Sequence, residues 1–151
     1  MSLDSKVLRL LMRQGRVSWT DLAHHLGLSA PAAAERVHRL EQRGIIRGYA
    51  ALVDAEAAGY PLTAFVSVVL DRPDRRSAFL RRVATLPEIA ECHHVAGDED
   101  YLLKVRCRST SDLDRFLMEA LKSTPGVMRT RTTIVLSTAK ESVAVPIAEE
   151  G

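Results

Sequence analysis

Residues 18–44 have the sequence SWTDLAHHLGLSAPAAAERVHRLEQRG. Ser18 can cap a short helix, and Asp21 can bond back to it from the third helical position, as a capping box with Asp in place of Glu. Gly27 suits the left-handed residue that ends this helix, and Ser29 can cap the next one. The stretch therefore predicts two helices joined by a tight glycine turn, which is the helix-turn-helix pattern.

The flanking sequence extends this pattern on both sides. Apolar residues recur at helical spacing over residues 3–11, with Asp4 as the expected cap, and they predict a first helix. Residues 45–53 form two short extended runs around Gly48, which is the size of a wing or of a linking strand. We therefore expect residues 1–50 to be a winged helix-turn-helix domain.

Charge separates this first segment from the remainder of the chain. Residues 1–50 hold eight lysine and arginine residues against four carboxylates, a net charge of +4. The remaining 101 residues hold 13 basic and 15 acidic residues, a net charge of −2. A basic first third followed by a slightly acidic remainder indicates a module that binds a polyanion, joined to a second module.

The third helix carries the candidate DNA-contacting side chains. Ala33, Val37 and Leu40 are expected to face inward, which leaves an arginine-rich face in solvent. The planar guanidinium can contact phosphate, or guanine O6 and N7, in a bidentate manner. The alternative is a solvated face on which Glu35 and Glu41 pair with arginines. The arginines in question are Arg36, Arg39, Arg43 and Arg47.

The start of this helix favours modest base readout. Its sequence, Ala-Pro-Ala-Ala over residues 30–33, offers methyl groups and no side-chain hydrogen bonds. Phosphate contacts and DNA deformability should then supply more of the affinity.

From residue 62 onward the pattern changes to that of an α+β domain. The order β-α-β-β-α-β is the split, ferredoxin-like sandwich, with one sheet covered on one face by two helices. The uncovered face is expected to carry many apolar residues and to form a dimer interface. The predicted strands are Leu62–Leu70, Glu88–Ala96, Tyr101–Cys107 and Val127–Ser137. The predicted division is a DNA-binding domain at 1–50, a linker at 51–61, a ferredoxin-like effector-binding and oligomerisation domain at 62–140 and a tail at 141–151.

Residues 97–101, Gly-Asp-Glu-Asp-Tyr, form the predicted hairpin turn between the two middle strands. Three acids on one tight turn repel one another unless a cation or hydrogen-bond donors neutralise them. A ligand ammonium could do so, and free backbone N–H groups could hold a carboxylate. Together these groups suit an amino acid. The alternative is an ordinary polar hairpin tip.

Cysteine and histidine residues leave a metal-dependent enzyme as a further alternative. In a strand Cys92 and His94 share one face while His93 points the other way. These two, even with Cys107 nearby, do not define the three or four ligands of a zinc site, so no metal is expected. No catalytic residue, phosphate loop or nucleophile elbow is evident. The N-terminal sequence lacks the features of a signal peptide, and no apolar run approaches the ~20 residues of a membrane span, so we expect a cytoplasmic protein with reduced thiols and no membrane partner.

Taken in order, these motifs resemble the Lrp/AsnC family, the leucine-responsive or feast/famine transcription regulators. The resemblance covers roughly residues 3–140. Its carriers are Gly15–Ser18, Asp21–Ala23, Leu26–Ser29, Glu35–Glu41, Gly44–Tyr49, Glu91–His93, Gly97–Lys104, Pro125–Val127 and Thr130–Thr132.

The resemblance implies an N-terminal DNA-binding domain and a C-terminal domain for assembly and effector binding. It also implies homodimers that assemble into octamers, with an amino acid bound between dimers and no other cofactor. Asp100 is expected to face the effector ammonium, and the Gly97–Asp98 backbone and Thr132 to lie near its carboxylate. The full predicted effector set is Gly97, Asp98, Asp100, Tyr101, Thr130 and Thr132.

The predicted DNA-binding set combines the third helix with its flanks. Two departures from the family bear on it: Ala32–Ala34 replace the usual Ser or Thr and larger aliphatic residue, and His38 replaces a common arginine. One phosphate contact should therefore depend on pH. The set is Ser29, Ala32, Arg36, His38, Arg39, Arg43 and Arg47.

The predicted function is a sequence-specific transcription regulator with modest base readout, which binds double-stranded DNA. Its assembly or affinity is expected to respond to an amino acid or a related small metabolite. The alternative is an amino-acid sensor that acts through protein contacts and uses its helix-turn-helix only for assembly.

Overall fold

The computed structural model describes residues 1–148. The described chain divides into two compact units: Met1–Leu52 with residues 140–148, and Val53–Ala139. The boundary therefore falls within the predicted linker of residues 51–61: residues 53–61 belong to the second unit, and the start of the predicted tail belongs to the first. Within residues 1–148, no helix has both the length and the apolar character needed to cross a membrane.

The first unit contains three helices: α1 (Leu3–Arg13), α2 (Trp19–Leu26) and α3 (Ala30–Gln42). The capping box of α2 forms as predicted, because the Asp21 backbone N–H donates to Ser18 Oγ at 3.1 Å and Ser18 Oγ donates to the Asp21 carboxylate at 2.6 Å. Gly27 ends α2 at φ 66°, in the left-handed region. The predicted cap of α1 is wrong by two residues, since Ser2 caps that helix and Asp4 lies in its first turn.

One small apolar core fixes the three helices against one another. It comprises the buried side chains of Val7, Leu22, Ala23, Ala33, Val37 and Leu40. The last three occupy positions i, i+4 and i+7 of α3, which lie on one face of a helix. This packing determines which side chains of α3 point away from the protein.

The predicted wing is absent from the described part of this unit. Residues 45–53 contain no strand. Ile45 and Ile46 instead donate their backbone N–H groups to the carbonyl of Leu40, at 3.0 and 3.2 Å, and so close the end of α3. The two extended runs form no β ladder because neither pairs with another strand. The domain is a three-helix helix-turn-helix.

The second unit is an antiparallel sheet with two helices on one face. Its sheet has the order β2-β3-β1-β4, and all neighbouring strands are antiparallel. The α+β prediction is confirmed. The elements are β1 (Leu62–Leu70), a 3₁₀ turn (Pro73–Arg75), α4 (Arg76–Val83), β2 (Ile89–His94), β3 (Tyr101–Cys107), α5 (Thr110–Arg115), a π-helical turn continuing α5 (Phe116–Leu121), and β4 (Val127–Ile134).

Alternate residues of the two central strands face the helices and form the core. They pack against Phe79 of α4, Leu113 of α5, and Phe116 and Leu121 of the π-helical turn. The core residues of the strands are Ala64, Val66 and Val68 of β1 and Tyr101, Leu103, Val105 and Cys107 of β3.

The opposite face of the sheet is less apolar than the sequence analysis expected. Phe65, Val69 and Leu102 supply its apolar surface in the central strands. Polar and charged residues lie among them, because the alternation of β1 and β3 also places Thr63, Ser67, Lys104 and Arg106 on this face. The expectation that this face carries many apolar residues is therefore wrong, since its apolar patch is confined to the middle of the face.

Candidate DNA-binding and effector sites

The N-terminus of α3 presents small side chains to solvent. Ser29 caps the helix by accepting a hydrogen bond from the Ala32 backbone N–H at 3.3 Å. Ala32 itself is exposed, whereas Ala33 is fully buried. The cap fixes the Ser29 hydroxyl on the backbone. The exposed start of α3 therefore offers methyl surface, as the sequence indicated.

Arg36 lies differently from the prediction. Its side chain is only 31% exposed, and its Nη1 atom lies 2.5 Å from the Oδ1 atom of Asp4 in α1. Arg43 approaches the other oxygen of Asp4 at 3.8 Å. The expectation that Arg36 is a fully exposed side chain is wrong, because its guanidinium connects α3 to α1. This ion pair holds the third helix in position.

Arg39, His38 and Arg47 remain on the solvent side. Arg39 is 57% exposed, with only a weak 3.9 Å contact to Glu35 one turn earlier. His38 is 60% exposed and lies 3.7 Å from Glu41. Arg47 is exposed and follows α3. Exposed guanidinium groups with weak protein partners are free to bind phosphate oxygens.

Glu41 has a second partner besides His38. The Tyr49 hydroxyl donates a hydrogen bond to the Glu41 carboxylate at 2.9 Å. Partial burial, the hydrogen bond to Glu41 and the negative charge of Glu41 together raise the pKa of Tyr49 to about 12. Tyr49 therefore stays protonated and connects the segment after α3 to the helix.

The acidic turn before β3 is held by hydrogen bonds between Asp100 and the backbone of neighbouring segments. Asp100 donates its backbone N–H to the Val68 carbonyl at 2.9 Å, and its carbonyl accepts from Val95 at 3.0 Å. Its Oδ2 atom accepts a hydrogen bond from the Leu70 backbone N–H at 2.7 Å. The side chain predicted to face a ligand ammonium is therefore engaged in connecting the turn to the end of β1.

The negative charge of Glu99, a second acid of this turn, is neutralised by Arg131, which is not among the predicted site residues. Glu99 is 20% exposed, and its Oε1 atom lies 2.5 Å from Nη2 of Arg131 in β4. Asp98 is exposed and has no hydrogen-bond or ion-pair partner among residues 1–148. Two of the three negative charges are thus compensated by residues of the described chain, and that of Asp98 is not compensated by any of residues 1–148.

Tyr101 belongs to the core rather than to the surface of the turn. It is 2% exposed, its ring centroid lies 5.0 Å from that of Phe79, and the Arg76 guanidinium lies 6.0 Å from the ring centre. Its hydroxyl is buried without a hydrogen-bond partner. The alternation of β3, in which Tyr101 shares a face with Leu103 and Val105, was the signal in the sequence that could have shown this.

Thr130 and Thr132 lie on edge strand β4, half-buried. Thr130 pairs with Val68, which in turn pairs with Tyr101, so Thr130 is level with the start of β3. Two strand spacings separate them, roughly 10 Å. Thr132 is two residues further along β4. The strand pairing therefore brings Thr130 closer than Thr132 to the level of the acidic turn.

The cysteine residues form no metal site in the described chain. No group of three or more His, Cys, Asp or Glu side chains in residues 1–148 is arranged to hold an ion. Burial, with the negative charges of Asp112 and Glu88, raises the pKa of Cys107 to about 11. Burial also raises the pKa of Cys92. Both thiols are protonated near neutral pH and are poor metal ligands.

These features define a class of protein: a helix-turn-helix DNA-binding domain joined to an α+β domain that carries an acidic turn. Comparison with known sequences agrees in both parts. Residues 2–41 match the AsnC-type helix-turn-helix domain, and residues 63–145 match the Lrp/AsnC ligand binding domain.

Relatives match along most of the chain. The leucine-responsive regulatory protein of Escherichia coli K12 is 42% identical over 142 residues, covering 93% of this chain and 87% of that protein. The Haemophilus influenzae protein of the same name is 41% identical over 143 residues, covering 93% and 86%.

Solved structures share the fold. A transcriptional regulator of Neisseria meningitidis in complex with L-methionine has a TM-score of 0.93 at 31% identity, covering 97% of this chain and 96% of that one. The feast or famine regulatory protein of M. tuberculosis, complexed with L-methionine, has a TM-score of 0.88 at 36% identity, covering 95% and 96%.

The chain belongs to the Lrp/AsnC family and is a DNA-binding transcription regulator. Its relatives are regulators and not enzymes, which removes the metal-dependent enzyme from consideration.

Proposed function

We propose that this regulator responds to an amino acid whose ammonium group binds Asp98, at the turn of residues 97–100. The observation that carries the proposal is that the charge of Asp98 is uncompensated by any of residues 1–148. The two other acids of the turn have partners: Glu99 pairs with Arg131, and Asp100 accepts a hydrogen bond from the Leu70 backbone. A free ammonium would neutralise the remaining acid. The L-methionine complexes of two relatives support an amino acid as the ligand class.

The backbone of the turn supplies the second half of the proposed recognition. Gly97 has a φ of 145°, a conformation that side chains rarely adopt, and the residue is exposed. Exposed N–H groups of such a turn can bind a carboxylate. Thr130, level with the start of β3, is the nearer of the two threonines for an additional hydrogen bond. Asp100 then acts on the ligand indirectly, by holding the turn in place.

On the DNA side, α3 supplies phosphate contacts and little base readout. Arg39, Arg43 and Arg47 are the proposed phosphate ligands, with His38 adding a contact. The methyl surface at Ala32 suits the thymine methyl group. Arg36 positions α3 through Asp4. Weak readout by one copy favours recognition by several copies acting together.

Assembly follows from the uncovered sheet face. The apolar patch of Phe65, Val69 and Leu102 is too small for an obligate interface by itself, but the mixed polar residues around it resemble the polar rim of many interfaces. We place the homodimer contact there, with further assembly of dimers into an octamer. A DNA partner supports the proposal that the regulator acts in the cytoplasm.

A duplex library at low salt, titrated with and without each of the twenty amino acids, tests the proposal. We expect binding that weakens steeply with salt and that one or more amino acids change. If no duplex binds, the DNA-binding role is contradicted. If regulation in cells survives Arg39→Ala together with Arg47→Ala, the alternative of a sensor acting through protein contacts is favoured.

A further inference from the structure

Helix α4 and the turn before it carry a dense group of arginines in the second unit. Residues 72–83, with the sequence RPDRRSAFLRRV, hold five arginines against one aspartate, a net charge of +4. The other residues of this unit hold seven basic and eleven acidic residues, a net charge of −4. Positive charge is therefore concentrated on one element. The five side chains form the arginine patch: Arg72, Arg75, Arg76, Arg81 and Arg82.

The packing of α4 leaves most of the arginine patch in solvent. Phe79 is fully buried, and Val83, four residues later on the same side of the helix, packs against the same core. Arg81 lies about 200° round the helix from Phe79, at about 100° per residue, and so faces outward. The exposed members of the patch are Arg72, Arg76, Arg81 and Arg82.

The exposed arginines have few partners that could neutralise them. The side chains of Arg81 and Arg82 make no hydrogen bond or ion pair with any of residues 1–148. Arg72 has one partner, since its Nε atom lies 3.5 Å from Oδ1 of Asp74. Both of these side chains are exposed, and such pairs are weak in water. The charge of the arginine patch is therefore largely uncompensated by the described chain.

Helix stability accounts for only one end of this charge distribution. The C-terminus of a helix favours basic side chains, and Arg81 and Arg82 lie in the last turn of α4. The N-terminus favours acidic ones, yet α4 begins with Arg75 and Arg76, has no acid in its first turn and has no side-chain cap. The Arg76 guanidinium lies 6.0 Å from the ring centre of Tyr101, a contact that leaves its charge in place. The arginines at the start of α4 thus oppose local stability, which indicates an anionic partner.

From this distribution we propose that the arginine patch binds the phosphate backbone of duplex DNA. Guanidinium groups bind phosphate oxygens in a bidentate manner and without regard to base sequence. DNA is the polyanion of choice because the chain is a DNA-binding regulator. A duplex held by the helix-turn-helix is present at high effective concentration around the second unit, which the same chain carries. This surface goes beyond the proposed function, which places the DNA contacts on and after α3.

Salt dependence of DNA binding measures these contacts directly. The probe is a labelled duplex of about 60 base pairs, roughly six helical turns, and its binding is followed by fluorescence anisotropy at several salt concentrations. Each phosphate contact contributes about 0.9 to the slope of log affinity against log salt. Arg81→Gln together with Arg82→Gln should therefore lower the slope by about 1.8.

Two control proteins separate phosphate binding from a general loss of charge or of structure. Arg108→Gln together with Arg115→Gln removes the same charge from the same unit, but the Asp112 side chain already accepts hydrogen bonds from both arginines, so the slope should stay that of the wild type. Arg81→Lys together with Arg82→Lys keeps the positive charge and should also retain the wild-type slope. Circular dichroism should give the same spectrum for all four proteins.

Three results would overturn the assignment. The first is a wild-type slope in the Arg81→Gln, Arg82→Gln protein, which would leave an anionic lipid surface or an acidic protein as the partner. The second is an equal fall of the slope in the Arg108→Gln, Arg115→Gln protein. The third is a change of assembly size by light scattering in the Arg81→Gln, Arg82→Gln protein, which would make the patch a contact between copies. A wild type that binds no duplex would instead contradict the DNA-binding role itself.

Discussion

Replacing Asp100 by alanine removes the acceptor of the Leu70 backbone N–H, which lies at 2.7 Å from Oδ2. Leu70 ends β1 at the point where its register with β4 shifts, so its N–H has no regular ladder partner to fall back on. A hydrogen bond to a charged group contributes about 1.5–3 kcal/mol. Because Asp100 is half-buried, we expect Asp100→Ala to lower the free energy of unfolding by about 2 kcal/mol.

Two companion variants separate this structural role from ligand binding. Asp100→Asn keeps a neutral acceptor and should cost about 1 kcal/mol. Asp98→Ala removes an exposed side chain with no partner among residues 1–148, so its effect on stability should stay within about 0.5 kcal/mol. Stabilisation of the protein by its amino acid should nevertheless disappear in Asp98→Ala.

Urea unfolding followed by circular dichroism, at one fixed protein concentration because the protein is expected to oligomerise, measures all three variants. With a urea m-value of about 2 kcal/mol/M, the Asp100→Ala effect shifts the midpoint by about 1 M, so it is readily resolved. The reasoning is refuted if Asp100→Ala and Asp98→Ala have equal stability, or if the Asp98→Ala protein is stabilised by the amino acid as much as the wild type.

Three further expectations concern other parts of the molecule. In a DNA-binding titration, Arg39→Ala should lower the slope of log affinity against log salt by about 0.9. Arg36→Ala should leave that slope unchanged and lower the free energy of unfolding by about 1 kcal/mol. Equal slopes in the two variants would contradict these assignments. Because burial raises the pKa of Cys107 to about 11, only about one part in a thousand of this thiol should be thiolate at pH 8. In a mass-spectrometric assay Cys107 should therefore resist iodoacetamide, while the more accessible Cys92 reacts faster. Faster labelling of Cys107 would show that it is not buried as described. Gly126→Ala should lower the free energy of unfolding by about 2 kcal/mol, because φ is 95° and the added Cβ would lie 2.6 Å from the Arg75 Cβ. Gly15→Ala is the control, since its added Cβ meets only a carbonyl oxygen at 3.8 Å. Similar stabilities of the two variants would count against the described packing.

Features encoded by neighbouring residues were predictable from the sequence. The capping box of Ser18 and Asp21 and the left-handed conformation of Gly27 depend on contacts within four residues, and both features are as predicted. The bounds of β1 and β3 also agree with the prediction, because period-two alternation and the flanking turns define them locally.

Features that depend on distant residues were not predictable. The helical periodicity of α3 placed Arg36 in solvent, but Asp4, 32 residues earlier, draws it against α1. The extended runs of residues 45–53 suggested a wing, but strand formation needs a pairing partner that the pattern of one segment cannot supply.

The acidic turn shows the same limit within the candidate effector site. Its composition predicted that the three negative charges need compensation, and the structure shows partners for two of them. Which acid stays uncompensated depends on Leu70 and Arg131, each about 30 residues away in the chain. The prediction of Asp100 as the ligand group remains a prediction, and the contacts of Glu99 and Asp100 are the reason that we propose Asp98 instead.

The central claim is that an amino acid bound at Asp98 changes DNA binding by the helix-turn-helix domain. Fluorescence anisotropy of a labelled duplex, with wild-type and Asp98→Ala proteins and the amino acid that most stabilises the wild type, tests it directly. We predict equal Kd values for the two proteins without ligand, and a shift of at least fivefold on adding the amino acid to the wild type alone, as expected for typical coupling free energies. The same shift in the Asp98→Ala protein, or none in the wild type, would contradict the account.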